Sequence, residues 1–437
     1  MTMETTIRID KIITGGLGIG RLEDGMVVMA GRVLPGETVV VRGTRQHRGY
    51  LEAELVKVLE PSGDRVEPVC PRYAECGGCD LQHARGSAQH RIKENILIEA
   101  AGRARVVCDE GVSQPLLASP LPLGYRHRIR LALSARGEIG FYQARSNRLV
   151  PIHECPVATA KVNTALAELN RSKYLRRVAA FSREIELQHS SADGRVIALL
   201  RLDNRKRADA RLIREFALSL EPVAQVRLQA GSRIRPGSPR QPEAVLRQQF
   251  DRSVCGRPFS LSWSPGCFSQ VNARQNSRLI GLVCRLSGDG HGRRILDLFC
   301  GMGNFSVPLG LGQAVVTGLE RNRESIARAR ANAAAAGLHD CEFQDINVAA
   351  GLRQCLGAGL HFDCVVLDPP RQGLGKSASL LLDFAPGRII YVSCDPATLM
   401  RDLHLLVAGG YRLLSLTPVD MFPQTHHIES VALLEKN

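Results

Sequence analysis

The chain has 437 residues, 44% of them hydrophobic, with 57 Lys and Arg against 43 Asp and Glu for a formal net charge of +14. That length predicts two or three globular domains with sizeable cores, and the positive excess points to a polyanionic partner, nucleic acid first, with a merely solvated basic surface as the plainer reading. No apolar run approaches the roughly 18 residues that span a bilayer, and MTMETTIRIDK lacks the apolar core of a signal peptide, so a cytoplasmic protein without membrane contact is expected.

Residues 1–60 read as short strands broken by turn signals. TTIRIDKII runs into GGLGIG, Asp24-Gly25 marks a hairpin, Pro35-Gly36 precedes the alternating ETVVVRG, and YLEAELVKVLE closes the segment at Pro61. This pattern predicts a small β-barrel of OB type. The Gly15-Gly16-Leu17-Gly18 run does not fit G-x-G-x-x-G, so a tight barrel bend is expected there rather than a phosphate loop.

Cys70, Cys76 and Cys79 then form C-x5-C-x2-C, and Cys155 recurs in HECPV. Three near thiols and a remote fourth make a metal-site signature that four-thiolate zinc and an iron–sulfur cluster satisfy about equally. Thirteen cysteines, an odd number in a cytosolic setting, favour such uses over a disulfide framework. SAQHRIKENILIEAAGRA reads as a helix. Residues 120–260 look β-rich, with RIRLALSA and RVIALLRL as alternating segments, and the Pro/Arg-rich stretch at 233–247 reads as an exposed loop.

From about residue 262 strands and helices alternate. RILDLF, AVVTGLE, CEFQDI, FDCVVLDPP and RIIYVSCD are strand-like, and RESIARARANAAAAGL is a helix stopped by Gly337. This rhythm predicts a doubly wound parallel sheet, with YRLLSLTPVDMFP and ESVALLEK adding an antiparallel edge.

Asp297 to Asn304, DLFCGMGN, lies where a strand ends and a helix begins, and Glu320 ends the next strand. Two glycines permit close backbone approach, and a strand-end carboxylate can accept both ribose hydroxyls. The third glycine of a pyrophosphate loop is absent, which favours S-adenosylmethionine over NAD.

Asp368-Pro369-Pro370-Arg371 and Ser393-Cys394-Asp395-Pro396 follow two further strands and should open onto the same crevice. Uracil C5 is too poor a nucleophile to take a methyl group directly. A thiolate adding to C6 makes C5 enolate-like, and a base must afterwards remove the C5 proton. Cys394 supplies the thiol and Glu429, in HHIES, the base. A free thiol is only about 3% ionised at neutral pH, so lowering its pKa to about 7 would gain roughly sixteenfold, and positioning must supply more. Asp368-Pro369-Pro370 alone would also suit methylation of an exocyclic amine.

DLFCGMGNF, LDPPRQGL, YVSCDPATLMRDL and TPVDMFPQTHHIESVALL closely resemble the RNA 5-methyluridine methyltransferases, and SPGCFSQVNARQN resembles that family's approach to its cofactor. The resemblance covers nearly the whole chain. It implies Cys394 as nucleophile, Glu429 as base, and Gln270, Phe299, Asn304, Glu320, Asn347 and Asp368 at adenosylmethionine and active-site positions. It also implies that Cys70, Cys76, Cys79 and Cys155 hold a 4Fe–4S cluster, a staple for the central domain because methyl transfer needs no electron. Phe268 is a candidate to stack on the target base, with packing under the cofactor loop as the alternative. Barrel and cluster together resemble the branch acting on 23S rRNA at the uracil-1939 site, with tRNA or another rRNA uridine as the alternative. Arg126 to Arg130 and Arg42 to Arg48 are candidate phosphate contacts.

The expected architecture is thus multidomain. Residues 1–62 form an OB-type barrel resembling a TRAM domain. Residues 63–90 and 120–261 form a central β-rich, iron–sulfur and RNA-binding domain. Residues 91–119 and 262–437 form an α/β Rossmann-like methyltransferase domain. RNA is the expected partner of a monomer with no obligate protein partner.

Overall fold

A computed structural model describes residues 4–108, 111–203, 206, 208–220, 223–231, 233–238, 244–375 and 377–437. β1 (Glu4–Ile13), β2 (Leu17–Arg21), β3 (Val27–Gly31), β4 (Thr38–Gln46) and β5 (Tyr50–Glu60) close into a barrel in the order β1-β2-β3-β5-β4. Alternation drives the closure: Ile7, Ile9, Val28, Ala30, Val39 and Val41 face inward while their neighbours meet solvent. Gly15 and Gly16, at φ +99° and +72°, make the β1–β2 turn, and a Cβ on Gly18 would lie 2.3 Å from Val33. The glycine run is therefore a barrel bend. Helix α1 (Gly86–Arg103) buries Ala88, Ile92 and Ile96 against the barrel and Leu97 and Ala101 against the C-terminal core, so one helix joins two modules.

The central module is a seven-stranded sheet. It contains β6 (Arg128–Leu133), β7 (Ile139–Tyr142), β8 (Leu149–Pro151), β9 (Ser182–His189), β10 (Val196–Leu202), β11 (Gln225–Ala230) and β12 (Arg233–Pro236), in the order β12-β11-β10-β9-β6-β7-β8. Three helices, α2 (Ala160–Arg171), α3 (Leu175–Val178) and α4 (Ala210–Leu220), share its core through Val162, Leu166, Val178, Ile213 and Phe216. It is mixed α/β rather than simply β-rich, because the apolar stripes of these helices need the sheet to cover them. Of the Pro/Arg stretch, residues 233–236 form edge strand β12 and residues 239–243 lie outside the described residues.

A hairpin follows, β13 (Leu246–Phe250) with β14 (Phe259–Trp263). Leu246, Phe250, Leu261 and Trp263 pack in one core with α5 (Ala273–Ser287) and the C-terminal sheet. The expected boundary at 261/262 falls within β14, whose Leu261 and Trp263 pack in this core.

The C-terminal module contains β15 (Arg294–Leu298), α6 (Ser306–Leu311), β16 (Val315–Glu320), α7 (Arg323–Ala335), β17 (Cys341–Asp345) and α8 (Val348–Gly357). β18 (Cys364–Leu367), α9 (Ser377–Phe384), β19 (Arg388–Ser393), α10 (Pro396–Ala408), β20 (Tyr411–Val419) and β21 (Glu429–Lys436) complete it. The sheet order is β17-β16-β15-β18-β19-β21-β20. β15 to β19 are parallel, and β18 (CVVL) is buried throughout, as helices on both faces require. The final strand is not at the edge: β21 inserts antiparallel between β19 and β20. Among the described residues no helix is long and apolar enough to cross a membrane.

Candidate active site

Strand order reverses at β15, which pairs with β16 on one side and β18 on the other, and the crevice of such a sheet opens at the carboxyl ends there. The chain leaves β15 through Phe299, a non-glycine residue at φ +63°, then Gly301 at +55° and Gly303 at +87°. Left-handed backbone on a bulky residue is strained and persists only where the surroundings hold it. The space beside the Gly301 Cα is open. Asp297 is fully buried and accepts from Ser306 Oγ at 2.5 Å, while its Oδ1 has no hydrogen-bond partner among the described residues. Burial pushes its carboxyl up to about 7, against the Ser306 bond and with help from the charges of Asp368 and Glu320.

Glu320 ends β16 half-buried, and its carboxylate accepts from Asn322 N–H at 2.7 Å. Asn304 exchanges side-chain hydrogen bonds with Asn276 of α5 at 2.9 and 3.1 Å. An orphaned buried oxygen, an open glycine loop and a strand-end carboxylate suit an adenosyl ligand. Asn347 also follows a strand end, but it is exposed and its oxygen caps α8 by accepting from Ala349 N–H at 3.0 Å. Gln270 is half-buried in a polar recess with Arg128, Gln188 and Trp263, where the central sheet meets the start of α5. Phe268 is 63% exposed, with the Arg128 guanidinium 5.7 Å from its ring centre, so packing beneath the cofactor loop does not describe it.

Cys394 follows β19 directly. Asp395 caps α10 by accepting from Thr398 N–H at 2.9 Å, and Pro396 opens the helix, so the chain turns from strand to helix immediately after the thiol. Ser393 pairs with Ser430 across β19 and β21. Cys394 and Glu429 flank this last pair, one just after it on β19 and one just before it on β21, and the Glu429 charge acts on the thiol. Glu429 is 2% exposed.

Burial pushes the Cys394 thiol up to about 11; the charges of Glu429, Asp368 and Asp395 add to this, and Arg371 opposes it. Burial likewise holds Glu429 well above the carboxylate range, with Asp368 adding and Arg371 opposing, and raises Asp368 to about 7. The thiol is thus raised, away from the value near 7 that would gain thiolate, because one arginine does not outweigh desolvation and neighbouring carboxylates. Arg371 is named in the sequence only as part of the strand-end motif, with no role of its own. Its loop is anchored by buried Asp402, which accepts from Leu374 N–H and Tyr391 Oη, each at 2.7 Å, and from Arg401 at 2.8 and 3.0 Å. Asn276 and Ser306 have no role in the sequence reading, although Asn276 ends the segment SPGCFSQVNARQN and Ser306 directly follows DLFCGMGNF.

The four predicted ligand cysteines act electrostatically on one another. Cys76 feels the charges of Cys155 and Cys70, Cys79 those of Cys155 and Cys76, and Cys155 that of Cys70. Gly77 N–H bonds Tyr142 O at 3.0 Å, seating this loop on the central sheet. Among the described residues no group of three or more His, Cys, Asp or Glu side chains is arranged to hold one metal ion. Of the other eight cysteines, Cys267, Cys300, Cys355 and Cys364 are buried and the rest partly so. Among the candidate phosphate contacts, Arg130 is paired with Glu184 and Glu186, and Arg42 with Glu4, while Arg126 and Arg128 are half-buried and Arg45 and Arg48 are exposed.

Residues 125–437 match the family described as tRNA (Uracil-5-)-methyltransferase. The chain belongs to this family. Two relatives of this uracil-5-methyltransferase, both called 23S rRNA (uracil(1939)-C(5))-methyltransferase RlmD, come from Shewanella sp. (strain MR-7) and Shewanella frigidimarina (strain NCIMB 400). The first is 36% identical, covering 96% of this chain and 93% of the relative. The second is 34% identical, covering 100% and 97%. The crystal structure of Pyrococcus abyssi tRNA (uracil-54, C5)-methyltransferase in complex with S-adenosyl-L-homocysteine superimposes with a TM-score of 0.71 at 25% identity, covering 98% of this methyltransferase and 100% of that chain.

Proposed function

We propose that this enzyme methylates C5 of a uridine in 23S rRNA, at the uracil-1939 site named for its relatives, using S-adenosylmethionine. The observation that supports the mechanism is the Ser393–Ser430 pair across β19 and β21, which Cys394 and Glu429 flank. Adenosylmethionine supplies the methyl group, and Phe299, Asn304, Glu320 and Asp368, with Gln270 and Asn347, would hold it.

Cys394 Sγ adds to uracil C6 and gives up its proton to Asp368, which leaves the Glu429 carboxylate free for the later step. C5, now enolate-like, would take the methyl group as the methyl–sulfur bond breaks and S-adenosylhomocysteine leaves. Glu429 removes the C5 proton, the C5–C6 double bond re-forms, and the Cys394 thiolate leaves. A carboxylate whose environment favours its protonated form is well suited to accepting that proton. Asp368-Pro369-Pro370 serving an exocyclic amine would leave Cys394 without a task.

Cys394→Ala should abolish transfer, and RNA containing 5-fluorouridine should trap a covalent complex with the parent enzyme. Turnover by the alanine variant would overturn the mechanism. Mapping 5-methyluridine in 23S rRNA with and without the protein tests the substrate; modification of tRNA alone would refute it.

Cys70, Cys76, Cys79 and Cys155 would hold a 4Fe–4S cluster, whose iron ties a sequence-remote thiol to a local loop. Support comes from four thiols close enough to bias one another's ionisation. Iron and acid-labile sulfide in anaerobically purified protein are expected; stoichiometric zinc without iron would exclude the cluster.

A further inference from the structure

The segment Asp420–His426 enters the active site just ahead of Glu429, and it is held chiefly from outside its own sheet. Lys93 of α1, fully buried, pairs with the Asp420 carboxylate and also donates to Phe422 O at 3.0 Å. Gln89 of the same helix exchanges two bonds with Gln424, at 2.9 and 3.0 Å. Tyr125 Oη donates to Pro423 O at 2.9 Å. Asn272 donates to Met421 O at 3.3 Å.

From the cysteine loop, Leu81 N–H reaches Gln424 O at 3.0 Å. Asp80, next to Cys79, accepts from His426 N–H at 2.7 Å and lies 2.5 Å from its Nδ1. Gln424 sits at φ +70°, a conformation a non-glycine residue keeps only when its surroundings impose it. β21 fixes the backbone of Glu429 along the ladder but not the path by which the chain arrives.

We infer that Asp420–His426 is a strap through which α1, Tyr125 and the cysteine loop position the carboxylate of Glu429 for proton removal. Asp80, Gln89 and Tyr125 are then positioning residues for one step of the reaction, although none reaches the substrate. The four-cysteine loop would serve catalysis without passing an electron, by setting where Asp80 stands. This inference rests on the reading of Glu429 as base.

Proton transfer requires hydrogen-bond reach between base and C5, so a loosened strap should slow breakdown of the covalent adduct more than its formation. The test is single-turnover kinetics of the full-length, cluster-loaded protein on a 23S rRNA fragment, following adduct and product for Asp80→Asn, Gln89→Ala and Tyr125→Phe. Tyr125→Phe removes one hydroxyl and keeps the packing, so it folds if any variant does.

Adduct formation is expected within about twofold of the parent, with decay slowed roughly fivefold to tenfold per variant, so that adduct accumulates. Decay unchanged in both Asp80→Asn and Tyr125→Phe, or formation and decay slowed equally, would overturn the strap. Glu429→Gln is the reference: if it accumulates no adduct, the base assignment fails independently, whereas accumulation there but not in the strap variants removes this inference alone.

Discussion

The ionisation of Cys394 can be followed without RNA or adenosylmethionine. Its thiol is pushed from 9.0 up to about 11. At pH 7 the thiolate is then about one part in 10⁴, against about one in 10² for an unperturbed group at 9.0, a roughly hundredfold deficit. A more basic thiolate is also more nucleophilic, and a Brønsted slope of about 0.4–0.5 over two pK units returns about tenfold. Alkylation of Cys394 by iodoacetamide should therefore run about tenfold slower at pH 7 than that of an ordinary exposed cysteine, and should climb about tenfold per pH unit through pH 10. Mass spectrometry of the peptide carrying Cys394 separates it from the other cysteines. Asp368→Asn removes a charge that raises the thiol and should move the profile to lower pH; Arg371→Gln removes the opposing charge and should move it higher. A rate that levels off below pH 9 in the parent, or variants shifting in the opposite senses, would refute an electrostatic balance dominated by burial and carboxylates.

Tyr391→Phe deletes a buried hydrogen bond to the Asp402 carboxylate and should cost about 2 kcal/mol, lowering the midpoint of thermal unfolding by several degrees. Asp402→Asn should cost more, because one amide oxygen cannot serve four donors, and its alkylation profile at Cys394 should also shift as Arg371 loosens. Asn276→Ala removes the side chain with which Asn304 exchanges two hydrogen bonds and should weaken S-adenosylhomocysteine binding by calorimetry about fivefold, with melting behaviour little changed. Cys79→Ala should lower bound iron measured by elemental analysis and, through the adjacent Asp80, slow adduct decay.

Much of this protein was legible in its sequence because the signals were local. Turn residues at short intervals determined a barrel in residues 4–60, and the βαβ rhythm after residue 294 determined a parallel sheet, since period and breaker residues act within a few positions. The strand-end motifs around Asp297, Glu320, Asp368 and Cys394 could be gathered into one crevice by topology alone. What the sequence could not decide was set by contacts between distant residues. The helices that make the central module mixed α/β, and the hairpin at 246–263 that joins the C-terminal core, depend on which apolar face finds which partner. The sign of the Cys394 shift likewise depends on desolvation and on charges from three separate strand ends, which only the folded arrangement brings together. Insertion of β21 between β19 and β20, which brings Glu429 to the end of β19 that Cys394 follows, was decided by tertiary pairing, because the last strand's own residues would suit an edge as well as an interior position.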